Sequence, residues 1–257
     1  MKYNTLKAFL DEKVEFYNRP EFIISDPLLV PHRYTQKEDI EIAGFLSATI
    51  AWGNRVSILK NGLRLMEMMD DSPYKFVLGA GEKELKTLNK FVHRTFNDTD
   101  CLFFVEALRN IYLNHGGLEA SFSKGLTKSN KDKDVFPAIM HFRTTFLSAP
   151  HLERSVKHIA NPAAGSTAKR INMFLRWMVR KDDKGVDFGI WNSISPSQLC
   201  CPLDVHSGRS ARQLGLLSRK QNDWKAVMEL TENLRQFDAE DPVKYDYALF
   251  GMGVNEG

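Results

Sequence analysis

Apolar side chains recur at helical spacing along almost the whole chain. Near the N-terminus, Leu6, Phe9, Leu10 and Val14 fall on one face of a helix. The same spacing predicts further helices at about 39–52, 56–69, 101–114, 135–147, 151–159, 168–181, 207–214, 222–236 and 242–250. The polar stretch 124–134 predicts a loop, and no segment alternates with period two for long enough to predict a sheet. The pattern therefore predicts an all-α fold.

Composition narrows the class of protein without identifying it. The chain has 257 residues, 43% of them hydrophobic, which is enough for a buried core. No apolar run approaches the roughly 18 residues that span a bilayer, and no apolar signal core follows Met1, so we expect a cytoplasmic protein that does not enter a membrane.

The cysteines and histidines give no sign of a bound metal. The three cysteines are an odd number for disulfides and too few for an iron–sulfur cluster, so we expect reduced thiols. The sequence has no C-x-x-C and no histidine spacing of the H-x-x-x-H kind. We therefore expect neither a metal nor another cofactor.

The distribution of charge is more informative than the net charge of +3. Seven Lys or Arg and no acid lie between Arg154 and Lys181, and four more basic residues without an acid lie between Val205 and Asn222. This asymmetry predicts one positive face of the kind that binds a phosphate backbone. The alternative is a solvated surface on which basic residues cluster by chance.

Lys169 stands at the start of an amphipathic helix. A predicted buried stripe comprises Ile171, Phe174, Leu175 and Met178. Another face comprises Lys169, Asn172, Met173, Arg176 and Arg180. The positive end of the helix dipole disfavours the ammonium form of Lys169, which favours an amine nucleophile. The alternative is a solvated lysine with no chemical role.

Asp204 precedes the predicted helix that carries Arg209 and Arg212. Its carboxylate can cap that helix by accepting hydrogen bonds from the free amides of the first turn. A carboxylate fixed in this way can also stabilise an oxocarbenium ion or assist a proton transfer. The sequence leaves both roles open, and it indicates a structural contact to the backbone for His206.

Two of these segments resemble motifs of the helix-hairpin-helix DNA glycosylase superfamily, which includes endonuclease-III-like and 8-oxoguanine glycosylases. The turn Pro162–Ala168 followed by Lys169 is similar to the hairpin and its lysine, and Asp204–Arg209 is similar to the D-x-H-x-x-R motif. A third segment, Phe45–Thr49, resembles the early L-S-A-Q helix end. Over nearly its whole length the chain also resembles an uncharacterised bacterial family, which brings no established activity with it.

The resemblance implies a fold and a reaction. The fold is a single glycosylase-like unit over 1–257, with lobe A at about 1–60 and 205–257, lobe B at about 61–204, and a cleft between the lobes. In the implied reaction Lys169 attacks C1′ of a damaged nucleotide, for example an oxidised purine, and Asp204 supports the charge. Strand cleavage by a lyase step is then possible. The implied partner is double-stranded DNA with a damaged base, bound by a monomer without a membrane or cofactor.

The resemblance also implies residues that contact the DNA. The candidates for DNA contact are Gly165, Ser166, Arg170, Arg176, Arg209 and Arg212. The family's glutamine that fills the gap in DNA is replaced by Thr49, so the candidates for the base-flipping wedge are Trp52, Asn54 and Arg55.

Two further departures from the family keep other functions open. Thr167 stands where the hairpin has its second glycine, and the spacing from Lys169 to Asp204 is about twice the usual one, so that 182–201 must loop out. One alternative is therefore a catalytically inactive nucleic-acid-binding protein on the same scaffold. Another is a helical protein with no nucleic-acid role, in which the lysine and the aspartate belong to a helix face and a cap.

Overall fold

The computed structural model describes residues 3–126 and 134–255, and these residues are mostly helical. The α-helices are α1 (Tyr3–Tyr17), α2 (Pro20–Ile23), α3 (Lys37–Thr49), α4 (Arg55–Met68), α5 (Pro73–Gly79), α6 (Glu82–Leu85), α7 (Asp98–Asn114), α8 (Gly117–Ser123), α9 (Phe136–Phe146), α10 (Lys169–Val179), α11 (Val205–Gln213), α12 (Trp224–Phe237) and α13 (Tyr245–Asn255). Short 3-10 helices lie at Pro27–Leu29, Pro31–Arg33, Lys86–Leu88, Glu153–His158, Pro162–Ala164, Pro196–Gln198 and Pro242–Lys244. The predicted helical class is confirmed.

Two local predictions differ from the structure. A two-stranded antiparallel hairpin joins β1 (Val92–His93) to β2 (Phe96–Asn97), and strands of two residues are too short for an alternating pattern to reveal. The segment predicted as a helix at 151–159 contains the 3-10 helix Glu153–His158, whose Ser155 hydroxyl donates to Asp100. Most of the predicted loop at 124–134 lies outside the described residues.

The chain divides into two compact units. The terminal unit comprises the described residues within Met1–Phe22, Thr127–Pro137 and Ala160–Gly257, and the central unit comprises Ile23–Leu126 and Ala138–Ile159. This division differs from the lobes expected from sequence in placing 23–60 in the central unit and 160–204 in the terminal unit. The segment 160–204 belongs to the terminal unit because side chains of α10 within it pair with acidic residues that follow later in the chain.

Aromatic packing forms the core of the central unit. The ring of Phe45 on α3 stacks on Phe104 of α7, with centroids 5.8 Å apart, and meets Phe142 of α9 edge-on at 5.3 Å. All three rings are almost fully buried. Pairs of this kind stabilise a core beyond their burial alone. The start of α7 is fixed by a capping box between Asn97 and Asp100.

Helix α13 is the central element of the terminal unit, because it packs against both α1 and α11. Two glycines allow this close approach. A Cβ at Gly251 would lie 2.4 Å from the ring of Tyr17, and a Cβ at Gly253 would lie 2.6 Å from the carbonyl oxygen of His206. The carbonyl of Gly253 also lies 3.1 Å from His206 Nδ1, which agrees with the structural contact expected for that histidine.

No helix in the described part of the chain is both long enough and apolar enough to cross a bilayer.

Candidate active site

Lys169 and Asp204 are distant in sequence but meet in the terminal unit. Lys169 Nζ lies 3.5 Å from Asp204 Oδ2. Both side chains are about a quarter exposed, at 23% and 24%, so that solvent and a ligand can reach the pair. The intervening segment 182–201 therefore loops out without separating the two residues.

The carboxylate of Asp204 serves two purposes at once. Its Oδ1 accepts from the amides of His206 and Ser207 at 2.9 and 3.0 Å, which caps α11 as the sequence predicts. Its Oδ2 is the oxygen that faces Lys169. The cap fixes the orientation of the carboxylate, so the structural role and the proposed chemical role are compatible.

The turn before Lys169 is built by left-handed backbone at two positions. Gly165 has φ 90° and Ala168 has φ 48°, so the second positive φ falls at Ala168 and not at Thr167. The carbonyl of Gly165 accepts from the Trp224 amide at 3.2 Å, which ties the turn to the start of α12. Gly165 and Ser166 are exposed, as a contact to DNA requires.

A ring and a second acid from α13 complete the surroundings of Lys169. The Lys169 ammonium lies 5.7 Å from the centre of the Phe250 ring. One turn earlier, Asp246 is buried, and its strongest charged neighbours are Arg176, Lys169 and Asp204. Burial raises the pKa of Asp246 to about 6, against the opposing effect of Arg176. Sequence reasoning missed both residues, since α13 is apolar and carries no motif.

Apart from Lys169, the second face predicted for α10 is buried. The stripe Ile171, Phe174, Leu175 and Met178 is buried as predicted. Asn172, Met173, Arg176 and Arg180 are buried as well. One cause is the segment after α10, in which Asp187 pairs with both Arg176 and Arg180. Trp177 and Trp191 are buried with them.

The structure corrects the role expected of Arg176. Its side chain is 4% exposed and donates to Asp187 Oδ1 at 3.3 Å and to Asp246 Oδ2. It also lies over the ring of Tyr247 at 4.2 Å. A phosphate cannot reach a guanidinium enclosed in this way. Arg176 is therefore part of the core of the terminal unit and not of a DNA-contacting surface.

The other three arginines predicted to contact DNA differ in how accessible their guanidinium groups are to a phosphate. Arg212 is occupied by the carbonyls of Arg219 and Lys220 and by the Asn222 amide oxygen, so it holds the loop 219–222 in place. Arg170 is half-buried, and burial lowers the pKa of its guanidinium to about 10. Arg209 is exposed, without an ion pair in the part of the chain that the structure describes.

The loop 219–222 adds basic groups that sequence reasoning did not single out. The exposed Lys220 and Lys225 line an open, polar depression with Ser218, Arg219, Gln221 and Glu229. The Asn222 side chain donates to the carbonyl of Asp204 at 3.1 Å, so this loop is joined directly to the residue that faces Lys169. In the sequence, the feature that indicates this basic loop is the acid-free run from Val205 to Asn222.

The three wedge candidates belong to the central unit and are held there by local contacts. The ring of Trp52 meets His93 edge-on at 5.1 Å, and its carbonyl lies 3.1 Å from His93 Nε2. Asn54 caps α4 by accepting from the Ser57 amide at 3.1 Å. Arg55 lies 3.4 Å from the Ser25 hydroxyl. Each side chain thus has a structural role, and the wedge function stays a prediction.

A family model described as "Protein of unknown function (DUF2400)" matches residues 26–255. No curated protein and no solved structure matches the chain.

Proposed function

The chain belongs to the DUF2400 family, and within that family we propose that it is a DNA glycosylase with lyase activity, whose nucleophile is Lys169. The observation that carries the proposal is the approach of Lys169 Nζ to Asp204 Oδ2 at 3.5 Å. The pair lies at a helix start directly after an exposed turn. The two-lobed glycosylase fold with a helix-hairpin-helix, which the resemblance implies, is part of the same proposal.

The pair can prepare a nucleophile in two steps. Asp204 Oδ2 first holds the Lys169 ammonium and then takes one proton from it, which leaves a free amine. Since Asp204 Oδ1 remains bonded to the α11 amides, the carboxylate keeps its orientation throughout.

The amine then attacks C1′ of the damaged nucleotide. The C1′–N bond breaks, and its electron pair leaves with the base, which takes a proton from solvent. The C1′–O4′ bond opens next, so O4′ receives one proton of the amine and the nitrogen remains as a protonated imine. Loss of a C2′ proton can finally expel the 3′ phosphate and cleave the strand.

The surface around the pair supports a polyanionic ligand. Gly165 and Ser166 are exposed in the turn, and the backbone amides of Thr167 and Lys169 have no partner among the described residues. Amides at a helix start bind phosphate well. Arg209, Lys220 and Lys225 add exposed positive charge. These groups would position a duplex through its backbone, without reading its sequence.

Borohydride trapping tests the proposal directly. The purified protein is incubated with duplex oligonucleotides that carry an abasic site, 8-oxoguanine or uracil, and the imine is reduced to a stable adduct. We expect an adduct with the wild type and none with Lys169→Gln. Lys181→Gln is the matched control, because Lys181 is an exposed lysine just beyond the other end of α10, and it should trap like the wild type.

The other outcomes identify the alternatives. Binding of DNA that weakens with salt, without an adduct on any substrate, would replace the proposal with a nucleic-acid-binding module. No affinity for DNA even at low salt would exclude a nucleic-acid role altogether.

A further inference from the structure

The open depression in the terminal unit is bordered by a loop that its neighbours hold in place. The lining comprises Ser218, Arg219, Lys220, Gln221, Lys225 and Glu229, and the volume is about 500 Å³. The guanidinium of Arg212 donates to the carbonyls of Arg219 and Lys220. Arg219 Nε in turn donates to Asp223 Oδ1 at 2.7 Å. These contacts fix the loop before a ligand arrives, which lowers the entropy cost of binding.

The oxygen atoms around the depression already have donors within the protein. Ser218 donates to Glu229 Oε1 from both its amide and its hydroxyl, each at 2.6 Å. The two loop carbonyls accept from Arg212, and the Asp223 carboxylate accepts from Arg219. Pairing of these oxygens reduces their repulsion of an incoming anion.

The donors of the depression, by contrast, remain available. Lys220 and Lys225 are exposed, and neither ammonium has an ion pair among the described residues. Gln221 Oε1 accepts from Arg219 at 3.2 Å, which leaves Gln221 Nε2 able to donate to a ligand. The backbone amides of Lys220 and Gln221 also have no acceptor in the described part of the chain. Ammonium and amide donors of this kind are the groups with which proteins hold a nucleic-acid phosphate.

Two hydrogen bonds join the loop to the candidate active site. The Asn222 side chain donates to the carbonyl of Asp204 at 3.1 Å, and the Trp224 amide donates to the carbonyl of Gly165 at 3.2 Å. The depression is thus connected both to the carboxylate that faces Lys169 and to the exposed turn before that lysine.

The two free lysines are within reach of a strand that occupies the active site. Lys220 precedes Asn222 by two residues and Lys225 follows it by three. Their Cα atoms therefore lie within about 11 Å of the Asn222 Cα. Three nucleotides of one strand rise by about 10 Å. A strand whose sugar meets Lys169 can place one of its next phosphates over the depression.

We propose that the depression is a discrete site for one backbone phosphate of the bound strand, within about three nucleotides of the sugar that meets Lys169. The assignment rests on the proposed function and deepens it, because it gives Lys220 and Lys225 one phosphodiester in place of a general attraction of charge. A free phosphate ion presents the same chemistry, so the experiment has to separate the two sources.

A scan with neutral phosphates measures this contact without any reaction at Lys169. The duplexes carry a tetrahydrofuran abasic analogue, which forms no imine, and a single methylphosphonate at each position within about three nucleotides of it. Fluorescence anisotropy gives the affinity of the wild type and of Lys220→Gln/Lys225→Gln for each duplex. Lys75→Gln/Lys83→Gln removes the same charge from exposed positions of the central unit and is the matched control.

The pattern of losses decides whether the site exists. For the wild type we expect one position at which the methylphosphonate weakens binding by roughly tenfold, the effect of losing a hydrogen-bonded charge. In Lys220→Gln/Lys225→Gln the same position should cost less than about twofold, because the removed charge no longer has a partner. The control variant should reproduce the wild-type pattern. A wild-type pattern in Lys220→Gln/Lys225→Gln would overturn the site.

Inorganic phosphate tests the other source of the ligand. It is titrated into the wild type and into Lys220→Gln/Lys225→Gln by calorimetry. Binding of the free ion that only the wild type shows, together with a scan in which no position depends on the two lysines, would overturn the phosphodiester site in favour of a free anion.

The scan and the trapping experiment can fail separately. A lysine-dependent position in the scan without any borohydride adduct would support the site and contradict the proposed lyase activity. An adduct that Lys169→Gln abolishes, with no lysine-dependent position, would support the activity and contradict the site. The absence of affinity for every duplex would contradict both.

Discussion

The two ends of α10 carry the same kind of interaction in different environments. At the start, Lys169 faces one carboxylate at 3.5 Å, and both partners are about a quarter exposed. Near the end, Arg176 and Arg180 are 4% exposed and bind Asp182, Asp187, Asp241 and Asp246. The first pair can exchange a proton or a partner, whereas the second group is held on all sides. The difference suggests that the buried group provides a fixed frame for the exposed pair.

The largest effect is expected from breaking the buried group. Arg176→Met leaves Asp187 and Asp246 without their shared donor, and removing one partner of a buried ion pair typically costs about 3–5 kcal/mol of unfolding free energy. Urea unfolding measures this loss. Arg209→Met is the matched control on an exposed arginine, and its expected effect is within about 0.5 kcal/mol. A loss below about 1 kcal/mol for Arg176→Met would show that the group does not support the fold.

An intermediate effect is expected from separating the two roles of Asp204. Serine is also a good N-cap, so Asp204→Ser should keep the unfolding free energy within about 0.5 kcal/mol. It removes the carboxylate that faces Lys169, so the rate of adduct formation should fall by roughly 100-fold.

Asp204→Ala is the companion variant. It should lose the adduct in the same way and cost about 1 kcal/mol of stability as well, because alanine cannot cap α11. Adduct formation by Asp204→Ser at the wild-type rate would mean that the carboxylate has only a structural role.

The contrast between Arg176 and Arg209 was not predictable from the spacing of residues. Both arginines lie in acid-free basic runs, and the burial of Arg176 depends on acids that arrive from 187 and 246. Helical periodicity predicted the stripe through Phe174 correctly because that stripe is set by one helix. On the opposite face, Arg176 and Arg180 pair with Asp187 of the 182–201 segment, whose course no local pattern reveals.

The residues of the candidate site also include some that the sequence predicts and some that only the fold reveals. Lys169 and Asp204 were predicted because each stands at a helix start, where composition and caps are informative. Asp246 and Phe250 reach the pair through tertiary packing of α13, which depends on the close approach that Gly251 and Gly253 allow. The capping role of Asp204 was predicted with its partners, whereas the distance to Lys169 required the fold.

The smallest effect is expected from a single exposed charge. Arg209→Gln should leave the unfolding free energy unchanged and lower the slope of log affinity for DNA against log salt by about one, the result of losing one phosphate contact. Fluorescence anisotropy with a labelled duplex over a salt series measures the slope. Lys86→Gln, a surface lysine of the central unit that pairs with Glu82, is the control and should not change it. An unchanged slope for Arg209→Gln would remove Arg209 from the interface.

The most direct test of the central claim is to locate the bond between protein and DNA. The wild-type adduct on an abasic duplex is reduced with borohydride, digested with a protease and a nuclease, and sequenced by mass spectrometry. The account predicts that the sugar remnant is attached to Nζ of Lys169. Attachment to another amine, or the absence of any adduct, would contradict it.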